Sequence, residues 1–190
     1  MNREHSIPID PDRQLVQAMS QGDARALDEL YARHGPGVLS FLVSRLSDRQ
    51  LAEEVLQDVM LAAWKNADGF RGESSVRTWL LVIARNRAIN ARRRYAPTLV
   101  SVDTVFNLQS TDTGPFEAVA REFDKAAVRD AIGYLEPDQR EILTLFFYHQ
   151  LSGPEIAEVL EINPGTVKSR LHRAKEALRR TMMLREGTDA

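Results

Sequence analysis

The chain has 190 residues, with 25 Lys and Arg, 27 Asp and Glu, and 43% apolar residues, a composition that excludes global disorder. It has no cysteine, which removes disulfides, thiolate metal sites and cysteine nucleophiles, and no apolar run near the ~18 residues of a membrane span. The leading MNREHSIPID lacks the basic-then-apolar pattern of a secretory signal, so a cytoplasmic protein without membrane insertion is expected. The net charge of −2 hides a segregation. Residues 71–95 carry seven basic residues and one acidic, a net of +6, and residues 165–190 net +4; residues 1–70 net −4 and residues 96–164 net −8. Two basic segments in acidic surroundings suit two contacts with a polyanion, or else two solvated helix faces.

The periodicity is helical almost throughout. Ala26, Leu27, Leu30 and Tyr31 form the stripe of a helix over 23–34. Gly35-Pro36-Gly37 reads as an interruption, with Pro36 opening a second helix through Leu39, Leu42, Val43 and Leu46. Ser47 reads as the N-cap of a longer helix over 48–66, whose Leu51, Val55, Leu56, Val59 and Trp64 face a core. A loop over 68–72 follows, then a helix over 75–94 ending in three arginines. Periodicity is lost from Tyr95 to Pro115, which reads as a linker between two small helical domains. Helices over 116–135 and 137–149 come next.

The sharpest local signal lies at 152–180. Ser152-Gly153-Pro154-Glu155 has capping-box spacing before a short apolar helix, and Asn163-Pro164 restarts the chain as cap and first-turn residue. Two helices across so short a turn match a helix-turn-helix. On the second helix Val167, Leu171, Ala174 and Leu178 turn inward, while Ser169, His172 and Arg173 point away, flanked by Lys168 and Arg170. Arg can bond guanine edges, Ser a base or a phosphate, and Lys a phosphate, so the face suits the major groove. The competing reading is a helical hairpin with a solvated basic face.

These residues are similar, nearly end to end, to the extracytoplasmic-function sigma factors of bacterial RNA polymerase. The resemblance is carried by four stretches: 24–31; 52–59 with Ala63-Trp64; 70–75 with Arg77-Thr78-Trp79-Leu80 and Ile83-Ala84-Arg85-Asn86; and 151–157 with 165–174. It implies an all-α protein with a sigma-2-like domain over 12–95, a flexible linker over 96–116 and a sigma-4-like helix-turn-helix domain over 117–184. It further implies that Glu53, Glu54, Asp58 and Trp64 dock on core polymerase, on the coiled coil of its β′ subunit, with the β flap as a second contact. Phe70, Arg71, Ser74, Ser75, Arg77, Arg85, Asn86, Asn90 and Arg92 would read and open the −10 element. Thr166, Lys168, Ser169, Arg170, His172 and Arg173 would read the −35 element. Promoter DNA and an anti-sigma factor are the other implied partners, and no cofactor is implied.

Other readings compete. Glu53, Glu54 and Asp58 could serve only their own helix or hold a metal, but no His joins them at ligand spacing. Trp79, Ile83 and Phe70 suit a core as well as a nucleotide, and Arg92, Arg93 and Arg94 suit a solvated helix end. The linker's Asp103 and Asp112 carry no motif. A stand-alone helix-turn-helix regulator would need only residues 152–180. An enzyme finds little support in His5, His34, His149 and His172, which form no metal-spaced cluster, and there is no phosphate-cradling glycine loop. No catalytic activity is expected of the chain itself. A helical adaptor would leave both basic segments without a purpose.

Overall fold

A computed structural model describes residues 12–95 and 125–186, all helix and turn with no strand among the described residues. In chain order the helices are α1 (Arg13–Ser20), α2 (Ala24–Leu46), α3 (Arg49–Lys65) and α4 (Val76–Tyr95), then α5 (Lys125–Gly133), α6 (Pro137–Leu143), α7 (Gly153–Leu160) and α8 (Pro164–Glu186). The linker and the start of the expected helix over 116–135 lie outside the described residues.

Helix α1 was not anticipated from the sequence. It is short, and its buried apolar contribution is Val16 and Met19. Asp12 ties it down, lying 2.6 Å from both Arg33 and His34 of α2. The interruption expected at Gly35-Pro36-Gly37 does not occur, and α2 runs through Pro36. Proline removes one backbone bond and crowds the carbonyl four residues back. Here both Pro36 and Ala32 are exposed, so water can serve the orphaned carbonyl. The expected cap also shifts by one residue. Asp48 caps α3 by accepting from the Leu51 amide at 3.0 Å, and Ser47 closes α2 in the left-handed conformation, φ 56°.

The first four helices form one helical unit around Leu30, Phe41, Leu42, Val59, Leu80 and Leu81, each at most 1% exposed. Burying each such side chain stabilises the fold by about 1.5–3 kcal/mol. The stripe read for α3 is buried at Leu51, Val55, Leu56 and Val59, with Trp64 half-buried at its margin. Phe70 and Trp79 pack on each other with ring centroids 4.9 Å apart, which places both against the core.

The second unit packs α5, α6 and α7 around α8. Arg140 of α6 donates to the Gly133 and Leu135 carbonyls at 2.7 and 3.1 Å, which closes the end of α5. The helix expected over 137–149 changes pitch, with Thr144–Tyr148 forming a π-helical turn. The capping box of α7 is complete. Glu155 accepts from the Ser152 amide at 2.8 Å, and Ser152 Oγ accepts from the Glu155 amide at 3.5 Å. At the other end of α7, Glu161 takes a left-handed φ of 53° and the Ile162 amide donates back to Ala157 at 3.0 Å. Asn163 Oδ1 then accepts from Gly165 at 2.8 Å to open α8.

The two units are not held apart. Their buried side chains join into one apolar cluster, with α7 seated on α4 and α6 on α2.

Candidate nucleic-acid interface

The helix-turn-helix presents its second helix as the spacing predicts. Val167, Ala174 and Leu178 of α8 are buried and Leu171 is half-buried, whereas Lys168, Ser169, His172 and Arg173 are exposed. Thr166 and Arg170 are half-buried. The Thr166 amide is held by Asn163 at 2.8 Å, and its carbonyl accepts from Ser169 at 3.0 Å. Arg170 leans towards Asp138 at 4.0 Å, and His172 lies 3.6 Å from Glu176. One turn on, Lys175 lies over the Phe146 ring at 4.1 Å, and partial burial lowers its pKa. The result is an open, cationic first half of a recognition-type helix on an apolar base.

The acidic face of α3 is equally open. Glu53, Glu54 and Asp58 are exposed, and Arg49 reaches Glu53 at 2.9 Å. Leu61, half exposed, continues the face beside Glu54 and Asp58. Among the described residues no group of three potential metal ligands converges.

The residues expected to handle the −10 element divide into two sets. Arg71, Asn86, Asn90 and Arg92 are exposed, while Phe70, Ser74, Ser75, Arg77 and Arg85 are half-buried. The loop that carries the first of them is held by Arg13 of α1, whose Nη2 donates to the Gly72 carbonyl. A cavity of about 300 Å³ lies between α1 and this loop, lined by Arg13, Gln17, Ser20, Asp68, Phe70 and Arg71 among others. Gly72 has a φ of +70°, and a Cβ there would sit 3.0 Å from the Arg13 guanidinium.

Much of the second set faces the other unit. Thr78 Oγ1 donates to Glu155 Oε1 at 3.0 Å, and Ser75 Oγ donates to the same oxygen at 3.4 Å. Burial pushes the Glu155 carboxyl up, but hydrogen bonds from Ser152, Thr78 and Ser75 outweigh it and leave its pKa below the ordinary value. Burial lowers Arg77, and the charge of Glu155 partly offsets that loss. Glu141, 9% exposed, lies 2.7 Å from Arg45 and 3.4 Å from Arg85. Desolvation raises its pKa despite both arginines. Asn86 donates to Glu161 at 3.3 Å. The long-range pairings of Thr78, Arg13, Arg45 and these three carboxylates escaped the reading of the sequence. The one trace of them was charge, since the −8 segment over 96–164 contains all three acids and the +6 segment over 71–95 contains Ser75, Arg77, Arg85 and Asn86.

Comparison with known proteins places these surfaces in a family. A family model described as Sigma-70 region 2 matches residues 30–98, and one described as Sigma-70, region 4 matches residues 125–178. The RNA polymerase sigma-H factor of Pseudomonas aeruginosa is 35% identical over 186 residues, covering 92% of this chain and 96% of the relative. The ECF RNA polymerase sigma-E factor of Haemophilus influenzae is 33% identical, covering 88% of this chain and 93% of the relative. Among solved structures, CnrH in complex with the cytosolic domain of CnrY aligns with a TM-score of 0.64 at 25% identity, covering 91% of this chain and 97% of that one. The sigma factor RpoE in complex with the anti-sigma factor NepR from Bartonella quintana shares the fold, with a TM-score of 0.61 at 24% identity over 82% of this chain and 96% of that one.

Proposed function

The chain belongs to the extracytoplasmic-function branch of the sigma-70 family, and on that premise we propose how its surfaces divide the work of an alternative sigma factor. Such a protein binds core RNA polymerase, directs it to particular promoters and helps open the −10 region. Residues 12–95 form the sigma-2-like domain, 96–116 the linker and 117–184 the sigma-4-like domain. Glu53, Glu54, Asp58 and the neighbouring Trp64 dock on the β′ coiled coil, and the second domain meets the β flap. Acids at i and i+4 share one helix face, so the docking geometry is reasonable and electrostatic complementarity would fix its register.

Lys168, Ser169, His172 and Arg173 read the −35 element, with Thr166 and Arg170 at their border. The loop from Phe70 to Ser75 and the first turns of α4 receive the −10 strand. Extruding a base costs a few kcal/mol, which an aromatic plane and nearby charges can offset. Arg71 and Arg77 supply the charge there; Asn90 and Arg92 anchor the strand further along. All bond making belongs to the polymerase, and the chain contributes position and strand separation. It acts in the cytoplasm, at the nucleoid when part of the holoenzyme, and an anti-sigma factor is its natural antagonist.

The observation that carries this reading is the open cationic face of α8 set on a capped helix-turn-helix. Run-off transcription with purified core polymerase on a genomic fragment library tests it. Discrete transcripts that require the chain are expected. Tight specific binding of the free chain to duplex DNA, with no stimulation of core polymerase, would instead favour a stand-alone regulator.

A further inference from the structure

We propose that Arg13 of α1 is a positioning residue for the strand-reading loop, and that its hold on the Gly72 carbonyl fixes where Arg71 and Ser74 meet a −10 nucleotide. The inference rests on the sigma-factor reading for what the loop receives. The tie itself stands on geometry within the first helical unit.

The loop is pinned on two sides. On one, Phe70 packs on Trp79 of α4 with ring centroids 4.9 Å apart. On the other, Arg13 Nη2 donates to the Gly72 carbonyl across 59 residues of sequence. Gly72 makes that approach possible, since its φ is +70° and a Cβ there would stand 3.0 Å from both Cζ and Nη1 of Arg13. Arg71 lies between the two pins, so its main chain is fixed on both sides while its side chain stays exposed. The loop is also a partition. A cavity of about 300 Å³ on its α1 side is lined by Arg13 and Gln17, and one of about 330 Å³ on its other side by Ser74 and Trp79; Phe70 and Arg71 line both. A shift of the loop therefore widens one cavity, narrows the other and alters the seat offered to a nucleotide.

Arg13 is itself held. Asp12 lies 2.6 Å from both Arg33 and His34 of α2, and Val16 and Met19 sink α1 into the core at 1% and 2% exposure. Two adjacent residues thus join α2 to the loop, Asp12 through Arg33 and His34, and Arg13 through a charge-assisted bond, roughly twice as strong as a neutral one. Arg13 Nε is buried with no hydrogen-bond partner among the described residues, so the Gly72 carbonyl carries the hold. The region 2 match begins at residue 30, so α1 stands ahead of it and supplies a support that the matched segment does not contain. Recognition groups work when neighbours that never touch the ligand lock them in place. Arg13 is such a neighbour to Arg71 and Ser74. A loop released from α1 has to be ordered by the strand itself, and affinity falls accordingly.

The test is Arg13→Met, which keeps an unbranched stem and removes the donors. In the free full-length chain, the Gly69 and Phe70 amides donate to Asn66 and Ala67 at 3.1 and 3.3 Å. Their hydrogen exchange should quicken about tenfold, the effect of losing one charge-assisted bond. Arg13→Lys retains a charged donor and should restore most of that protection. In holoenzyme, on a promoter fragment recovered by run-off transcription, Arg13→Met should weaken binding about tenfold. The penalty of single-base changes in the −10 element should shrink, and that of changes in the −35 element should stay. The salt dependence should keep its slope; a slope shallower by about 0.7–0.9 would make Arg13 a phosphate contact and overturn the proposal. Gly72→Ala displaces the same guanidinium, so the double variant should lose less than the product of the two single losses, and a full product would also overturn it. If Arg13→Met does not fold, Gly72→Ala alone must show the loss of −10 discrimination. A charge-matched control, Arg25→Met, alters an exposed residue of α2 and should change none of these quantities. Unchanged −10 discrimination in Arg13→Met, or an equal change in the control, would refute the positioning role. Absence of any promoter-dependent transcript with the unaltered chain, alongside the expected exchange difference, would remove the sigma-factor reading and leave Arg13 as the brace of the loop.

Discussion

Arg173 stands exposed on α8 with its Nε 3.4 Å from the Ser169 carbonyl, a long contact that leaves the guanidinium fork able to turn towards a base pair. Arg173→Ala should weaken holoenzyme binding to the preferred promoter by about 1–3 kcal/mol and relax preference at one −35 position. Titration against single-position promoter variants checks this. A uniform loss across sequences, with a shallower salt dependence, would make Arg173 a phosphate contact instead. Gly72 illustrates a different constraint. Its left-handed φ of +70° costs an L-residue about 1–2 kcal/mol, and a new Cβ would press on the guanidinium that holds the loop. Gly72→Ala should therefore lower Tm by about 2–4 °C per kcal/mol lost, and an unchanged melt would refute the strain. The sequence marks Gly72 as a loop residue, but its partner Arg13 lies 59 residues away, and no local pattern reports a pairing of that span.

At the scale of elements, legibility follows how local the determining interaction is. The capping box of α7 lies within four residues, and both its spacing and its bonds agree with the sequence. Ser152→Ala should cost about 1 kcal/mol, read by chemical denaturation, and a change below the error of the fit would remove the cap from the account. The first half of α8 is equally plain, because the buried set Val167, Ala174 and Leu178 and the exposed set share one 3.6-residue period. Pro36 misled because the rule against proline within a helix presumes an occupied donor site and a crowded carbonyl. On the outer face of α2 solvent supplies the donor that the Ala32 carbonyl has lost. The acids of α3 are legible as a face and carry no signature of what they touch. Reversing Glu54 and Asp58 to Lys should abolish co-elution with core polymerase while leaving the melting curve nearly unchanged, since both positions are exposed. Normal co-elution would sink the docking assignment.

For the molecule as a whole, two helical units were legible and their mutual packing was not. Each carboxylate of the contact resembles an ordinary surface acid until the partner helix is in place, and only the opposed charges of the two segments pointed to it. Closure of the two units on each other, the packing of α6 and α7 against α2 and α4, has a pH dependence that follows from His149. Burial, with a smaller contribution from the Arg77 charge on α4, lowers its pKa from 6.5 to about 3. Opening the contact would return it to about 6.5, so below that value the open form binds one more proton. The closed form is then fully favoured above about pH 6.5 and loses about 1.4 kcal/mol per unit as pH falls towards 3. Glu141 acts in the opposite sense, because its raised pKa lets closure gain as pH falls through that raised value towards 4.5. Glu155, whose pKa is lowered, adds to the loss only below its ordinary range. Between about pH 6.5 and 5 the His149 contribution alone loses about 2 kcal/mol of closure by pH 5, and the raised Glu141 opposes it as pH falls through its own value. Small-angle scattering of the free chain should report expansion across that window, and His149→Leu should abolish it. Equal expansion in both proteins would place the titrating group elsewhere.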